Sequence, residues 1–343
     1  MIGDSIKTNN LNLIRFIAAI LVIIHHSFPL CYGSERGDFV AEYTGDMLSL
    51  GTIAVGVFFV TGGFLIAGSA ERKNKAGAFF KARITRIFPS LAVVVLASAF
   101  VIGPIVTELS VSDYFSNGNT YKYLLNGVLL LQHTLPGVFE SNPYPEVVNG
   151  PLWTLPVEFL CYIGCFIAFK LGFFDKKRYG ITIPFAVVAA IGVGFVFRSQ
   201  PFIIRIIQPV LLYYIGIGFY VFKDRIKLSG KLFALLVLLW LVLIALKLSF
   251  LAMLIAFPYV IMYLAFGIES EVVASFGKKY EISYGMYLWG WVLQQLLCQM
   301  NMFRVWYINS ILAVIGAIVM GFLNHILIEK RMVSKKMKPD TKL

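Results

Sequence analysis

Long apolar runs dominate this chain, and they determine its predicted architecture. A helix needs about 20 apolar residues to cross a bilayer, and ten runs approach or reach that length. The runs are apolar on all sides, whereas the strands of a membrane β-barrel alternate apolar and polar positions over about 10 residues. We therefore predict an all-α, polytopic membrane helix bundle with about ten transmembrane helices. The runs lie at 11–30, 50–70, 84–106, 152–171, 181–198, 202–222, 231–247, 249–267, 281–299 and 306–328.

The composition agrees with a membrane protein and disagrees with other classes. Hydrophobic residues make up 59% of the 343 residues and charged residues 14%, against about 45–50% and about 25% in an ordinary soluble domain. A water-soluble enzyme, a disordered chain, a coiled coil and a collagen do not fit these values. The first run contains Arg15 and two histidines and lacks a small-residue cleavage site. We therefore expect it to be retained rather than removed as a signal peptide.

A shorter apolar segment at 121–135 decides the topology. Its apolar core is too short to cross comfortably, and it runs into Pro136 and Gly137. If it does not cross, the N-terminus, the C-terminal tail and four basic loops share one side, with 23 of the 30 Lys and Arg residues, and the other side has six. Cytoplasmic loops are enriched in Lys and Arg. We therefore predict that both termini are cytoplasmic and that 121–135 is a re-entrant or interfacial segment on the outer side.

The formal net charge of +12 would suggest a nucleic-acid partner in a soluble protein. In a membrane protein, basic loops that set the topology explain it, so we expect a lipid bilayer as partner and no nucleic acid. The spacing of the four cysteines predicts no metal site. Since no soluble insertion or internal repeat is visible, we expect one transmembrane domain at 1–333 and a basic cytoplasmic tail at 334–343.

Ionisable side chains within apolar runs are costly, so each is a candidate for function. Arg15 and His26 are eleven positions apart, close to three helical turns, and so share a helix face. In the predicted topology Arg15 lies near the cytoplasmic surface and His26 lies deeper. A neutral imidazole can take a proton from a hydroxyl near pH 7. The alternative is a packed core histidine, the interpretation we favour for His25, His133 and His325.

Three further positions carry candidate chemistry. Arg83 and Arg86 share a helix face at the start of the third run and suit a phosphate ligand, although a basic cluster that only sets topology is the alternative. Glu158 lies inside an apolar run, where a carboxylate needs a partner such as a histidine, an arginine or a sugar hydroxyl. Trp153 can stack on a sugar ring or anchor the helix at the membrane interface.

Five motifs follow one another along the chain. They are NLIRFIAAILVIIHHSF, VGVFFVTGGFLIAGS, KARITRIFPSL, PLWTLPVEFLCYI and EISYGMYLWGWVLQQL. In this order they resemble the first helix, the second helix, the Arg-x-x-Arg segment, the Trp-Ser-Leu-x-x-Glu segment and the Ser-Tyr-x-x-Tyr-Leu motif of the acyltransferase 3 family of integral membrane acyltransferases. The resemblance covers nearly the whole chain.

Three departures from the family pattern bear on mechanism. Gly62 occupies the place of the serine in the second motif, so that serine cannot act as a nucleophile here. Thr154 replaces the serine of the fourth motif and keeps its hydroxyl. Gly290 and Val292 stand where the family often has His-x-Pro. The missing second histidine favours His26 as the base.

The resemblance implies an O-acetyltransferase that moves an acyl group, usually acetyl, from cytoplasmic acyl-CoA to a hydroxyl of an extracytoplasmic or lipid-linked glycan such as O-antigen. It implies acetyl-CoA as donor substrate, no tightly bound cofactor, and a multi-pass position in the bacterial inner membrane. The alternative is a transporter or flippase without acyl transfer. The implied site comprises His26 and Glu158 as catalytic residues, Arg15, Arg83 and Arg86 for the donor, and Trp153, Ser283 and Tyr284 for substrate. For Arg15 the alternative is a structural role, in which it fixes the first helix against Glu158.

Overall fold

The ten predicted runs all form helices. The computed structural model describes residues 2–3, 9–34, 37–197, 199–268, 270–276 and 280–330, and the strand-free helical class is confirmed over these ranges. We number the long helices in chain order. They are α1 (Leu11–Tyr32), α2 (Leu50–Lys73), α3 (Ala76–Val106), α4 (Gly150–Lys170), α5 (Lys176–Val196), α6 (Pro201–Val221), α7 (Gly230–Ala245), α8 (Ser249–Phe266), α9 (Ser283–Gln299) and α10 (Trp306–Glu329).

Seven of these helices are long and apolar enough to cross a membrane, namely α1 to α5, α8 and α10. Shorter apolar stretches occur in α6 (Arg205–Val221) and in α7 (Gly230–Ala245). The multi-pass helical architecture is therefore confirmed, while the count of ten crossings and the cytoplasmic position of both termini remain predictions. The predicted tail at 334–343 lies outside the described residues.

The segment at 121–135 is not a long helix. A short helix at Gly118–Lys122 leads into a 3₁₀ helix at Tyr123–Val128, and Leu129 then adopts a left-handed φ of 65°. A six-residue 3₁₀ helix rises only about 12 Å, far less than the roughly 30 Å of a bilayer core. The helical part of this segment cannot span the membrane, and its interfacial location remains a prediction.

Polar residues at the helix ends explain where several helices begin. Ser49 and Thr52 form a reciprocal capping box at the start of α2, because each side chain pairs with the other's backbone N–H. Asp175 accepts hydrogen bonds from two backbone N–H groups at the start of α5. The Asn10 side chain donates to two carbonyls, those of Leu264 and Ile268, each at 3.0 Å. These contacts fix the first turn of α1.

The chain divides into two compact units, each described by itself. Unit one comprises Met1–Val22, Gly37–Phe79 and Val157–Lys279, and unit two comprises Ile23–Arg36, Phe80–Pro156 and Tyr280–Leu343. In unit one, α2 packs directly against α6. A Cβ on Gly63 would lie 2.1 Å from a backbone oxygen of α6, so only glycine permits this approach. Unit two contains the second half of α1, most of α3, and α9 and α10.

Candidate active site

His26 lies in α1 at a turn where the helical hydrogen bonding is interrupted. Pro29 stands inside the helix and has no N–H, so it cannot donate to the carbonyl of His25, four residues earlier. Both histidine rings are half-buried, and their centroids lie 5.5 Å apart. The sequence therefore places His26 in a turn that lacks the one helical hydrogen bond that Pro29 cannot donate.

The second half of α1 is fixed by a buried polar network in unit two. Gln294 of α9 donates from Nε2 to the carbonyl of Ile23 at 2.8 Å and to Oδ1 of Asn309 at 3.0 Å. Ser310 of α10 donates to Oγ of Ser27 at 2.8 Å. All four polar side chains are buried, so these bonds form in a low-dielectric interior and hold the backbone on either side of His26.

Trp291 of α9 is the aromatic neighbour of His26. The ring centroids are 4.9 Å apart and the planes are inclined by 76°, the edge-to-face geometry that aromatic pairs favour. Sequence analysis did not single out Trp291. The available signal was its position in the fifth motif, one residue after Gly290, where the family often has His-x-Pro.

Arg86 lies at the centre of a charged cluster at the N-terminal end of α9. Its guanidinium donates through Nη2 to Glu281 and through Nη1 to Oε2 of Glu329 at 3.0 Å. Glu329 also accepts from Asn324 at 3.1 Å and lies 3.3 Å from Nδ1 of His325. The π-helical turn His325–Glu329 that ends α10 carries Glu329, and such turns often occur at functional sites. Sequence analysis missed both carboxylates, although Glu281 opens the fifth motif.

Ser283 and Tyr284 belong to the same cluster. Ser283 donates to Oε1 of Glu281 at 2.8 Å. The Tyr284 ring lies under the guanidinium of Arg86, 5.4 Å from its central carbon, and its hydroxyl donates to the carbonyl of Ile87 at 3.0 Å. Arg83 lies half-buried one turn earlier in α3. The structure thus groups Ser283 and Tyr284 with Arg86.

The cluster and His26 lie at different levels along α9. Trp291, which contacts His26, follows Ser283 by eight positions, a rise of about 12 Å in a helix. The residues predicted to bind substrate at Ser283 and Tyr284 are therefore separated from the His26 contact by two helical turns. Unit two therefore has two distinct polar centres, one at the N-terminal end of α9 and one near its middle.

Trp153 and Thr154 lie where α4 begins. The 3₁₀ turn Gly150–Trp153 opens this helix and leaves Trp153 half-buried. The Thr154 hydroxyl hydrogen-bonds the Tyr287 hydroxyl at 2.6 Å, and Tyr287 donates to the carbonyl of Pro151. The fourth and fifth motifs are thus joined through hydroxyl groups, and the hydroxyl kept at Thr154 has a structural partner.

The remaining two predicted site residues, Arg15 and Glu158, lie in unit one. The guanidinium carbon of Arg15 lies 5.7 Å from the ring centroid of Phe58 on α2, within the range of a cation–π contact. Glu158 accepts a hydrogen bond from the hydroxyl of Tyr162, one turn later in α4. Each intramembrane charge therefore has an aromatic neighbour that lowers the cost of its burial.

Comparison with known proteins gives consistent results. The family model described as acyltransferase domain (acyltransferase 3) matches residues 8–329. A protein named O-acetyl transferase from Shigella phage Sf6 is 26% identical over 349 residues, which covers 96% of this chain and 97% of the phage protein. No solved structure matches the chain significantly.

Two further relatives match part of the chain. Acyltransferase MdmB from Streptomyces mycarofaciens is 28% identical over 165 residues, 46% of this chain and 38% of that protein. Nodulation protein 10 from Rhizobium leguminosarum bv. viciae is 28% identical over 160 residues, 45% of this chain and 42% of that protein.

The family match covers nearly the whole chain, as the five motifs predicted. It begins before α1 and ends with the last residue of α10, so it includes every long helix and all five motifs. The predicted family and the enzyme class, an acyltransferase, are confirmed. This chain belongs to the acyltransferase 3 family and is a membrane acyltransferase.

Proposed function

We propose that this protein is an O-acetyltransferase that moves an acetyl group from acetyl-CoA to a hydroxyl of a surface glycan. The donor binds from the cytoplasm, and the acceptor is an extracytoplasmic or lipid-linked saccharide such as O-antigen. The full-length similarity to the phage O-acetyl transferase supports the acetyl group. The many apolar helices and the charge asymmetry support an inner-membrane location.

The donor site uses the basic end of the bundle. Arg83 and Arg86 contact the CoA phosphates, which stay near water, while the pantetheine arm carries the thioester deeper. An arginine fork suits a phosphate oxygen pair. Glu281 and Glu329 orient the Arg86 guanidinium, and Ser283 and Tyr284 support this arrangement from α9.

The chemical step is a direct transfer with His26 as general base. The imidazole takes the proton from the acceptor hydroxyl while the hydroxyl oxygen attacks the thioester carbonyl carbon. A C–O bond forms, the C–S bond breaks, and the CoA thiolate leaves and regains a proton from the imidazolium. No cofactor is needed for this balance. Trp153 stacks on the sugar.

One observation carries the proposal above the others. His26 occurs at the family's Arg-to-His spacing, three residues before Pro29. Gln294 holds the backbone of this turn through the Ile23 carbonyl, and the His26 ring lies against the Trp291 ring. A histidine kept only for packing would not need this buried polar scaffold around its turn. This arrangement suits a ring that must keep one orientation while it gains and loses a proton.

The test compares two neighbouring histidines. His26→Ala should lower acetyl transfer to a lipid-linked saccharide by about 10²–10⁴-fold, the usual cost of a lost general base, while acetyl-CoA binding is retained. His25→Ala should lose far less, because its side chain projects about 100° away. The wild-type rate should fall on the acid side as the imidazole protonates. Equal losses in the two variants would refute the assignment and make Glu158 the next candidate base.

A further inference from the structure

In the interior of unit two, the Trp291 ring packs against the ring of His26. Its edge-to-face contact, at 4.9 Å between centroids, restricts how the imidazole can tilt, because aromatic pairs lose contact area and favourable quadrupole geometry when they rotate. Trp291 itself is almost fully buried. Its burial and contact geometry are those of a fixed packing residue and not those of a surface side chain that stacks on substrate.

Three contacts fix Trp291 in turn. Its indole Nε1 donates to the carbonyl of Val147 at 3.0 Å. The ring of Tyr144 meets it edge-on, with centroids 5.5 Å apart. Gly150 lies against the six-membered ring of the indole, where an added Cβ would stand 3.1 Å from Cζ2 and from Cη2. All three belong to the segment 142–150, which follows the 3₁₀ helix Tyr123–Val128 and ends at the first residue of α4.

The segment 142–150 is anchored to α9 next to Trp291. Gln295 donates from Nε2 to the carbonyls of Tyr144 and Val147, both at 2.9 Å. Asn142 donates back to Oε1 of Gln295 at 2.7 Å. Both amide side chains are buried, so these bonds are costly to leave unmade. Trp291 and Gln295 are one helical turn apart and bind the same carbonyl.

We propose that Trp291 is a positioning residue, which holds the His26 imidazole in the orientation needed for proton transfer and is itself held by the segment 142–150. This inference rests on the proposed role of His26 as general base. It also gives the segment 142–150 a role in activity, because any change that displaces its backbone displaces the indole and then the imidazole.

Kinetics provide the first test. Trp291→Leu should lower kcat by about 10–100-fold, the scale of a misplacement of roughly 1 Å, with KM for acetyl-CoA unchanged. Trp291→Phe keeps an aromatic edge and should recover most of the rate. Trp289→Leu is the matched control, since both tryptophans are 6% exposed but project about 160° apart around α9. Gly150→Ala should change kcat in the same direction as Trp291→Leu, by a smaller factor.

A second readout does not depend on activity. We would measure the rate at which diethyl pyrocarbonate modifies His26, by peptide mass spectrometry, in His25→Gln protein with and without each tryptophan substitution. Trp291→Leu should change this rate and its pH dependence, and Trp289→Leu should not. Equal kinetic losses in both tryptophan variants, with unchanged His26 reactivity, would overturn the proposal.

The two hypotheses fail in different ways. If His26→Ala retains turnover, the role of His26 as general base is wrong, yet the modification rate still reports whether Trp291 controls the orientation of the His26 ring. If His26→Ala is inactive but Trp291→Leu leaves the rate, the pH profile and the modification unchanged, only the positioning role is wrong. Should Trp291→Leu fail to fold, Gly150→Ala takes its place, with Trp291→Phe as the conservative control: the positioning role requires lower kcat and altered His26 modification in Gly150→Ala, and unchanged values for both overturn it.

Discussion

At the scale of single residues, the Arg83 and Arg86 pair leads to a test of donor binding. Replacing either with alanine removes charge-assisted hydrogen bonds to phosphate, each worth about 1.5–3 kcal/mol, so Kd for acetyl-CoA should rise by about 10–100-fold. Lysine should restore binding only in part, because it lacks the fork. Isothermal titration calorimetry of purified protein provides the measurement.

Arg86 needs a control that Arg83 does not. Because Arg86 also pairs with Glu281 and Glu329, its alanine variant leaves two half-buried carboxylates without this partner and should lower the melting temperature. Glu329→Gln keeps the shape and removes one of those charges. If neither arginine variant alters donor affinity, the pair serves topology and the ion-pair cluster alone.

At the scale of elements, the approach of α1 to α9 depends on Gly290. A Cβ at this position would stand 2.8 Å from Cγ1 of Ile23, which is itself fully buried. Gly290→Ala should therefore destabilise the protein by about 1–3 kcal/mol through overpacking. The same close approach explains why a histidine is not accommodated here without moving α1, the helix that carries His26.

The measurement is the thermal unfolding midpoint in detergent, with Gly164→Ala as control. Gly164 also lies within a helix, but no atom lies within 4 Å of its added Cβ. Alanine should be neutral or stabilising there, because glycine is the weaker helix former by about 1 kcal/mol. Equal midpoints for the Gly290 variant and the wild type would show that α1 and α9 can separate without cost.

At the scale of the whole molecule, the charge asymmetry of 23 against six basic residues predicts the topology. Glu140→Cys places an exposed thiol in the segment after the 3₁₀ helix, and the four native cysteines are buried. A membrane-impermeant maleimide should label it in intact cells. Lys73→Cys, at the exposed end of α2, should react only after permeabilisation. If Lys73→Cys is labelled in intact cells and Glu140→Cys only after permeabilisation, the membrane topology is the opposite of the predicted one.

The sequence by itself determined the helical class, the ten helical segments and the family. Apolar runs of membrane length predict helices because the bilayer leaves the backbone no other way to satisfy its hydrogen bonds over one segment. The order of the five motifs along the chain identified the family. Both signals are local or sequential, so no tertiary information was required to find them.

The tertiary structure decided which of the predicted residues meet. It grouped Ser283 and Tyr284 with Arg86, brought Glu281 and Glu329 to the same guanidinium, and placed Trp291 against His26. Glu329 is 243 positions from Arg86 and Trp291 is far from His26 in sequence. The long helices are apolar on nearly all sides, so the sequence pattern does not reveal which face of a helix packs against which neighbour. Close helix contacts at glycines and buried polar hydrogen bonds determine which faces pack together. These contacts exist only in the folded chain.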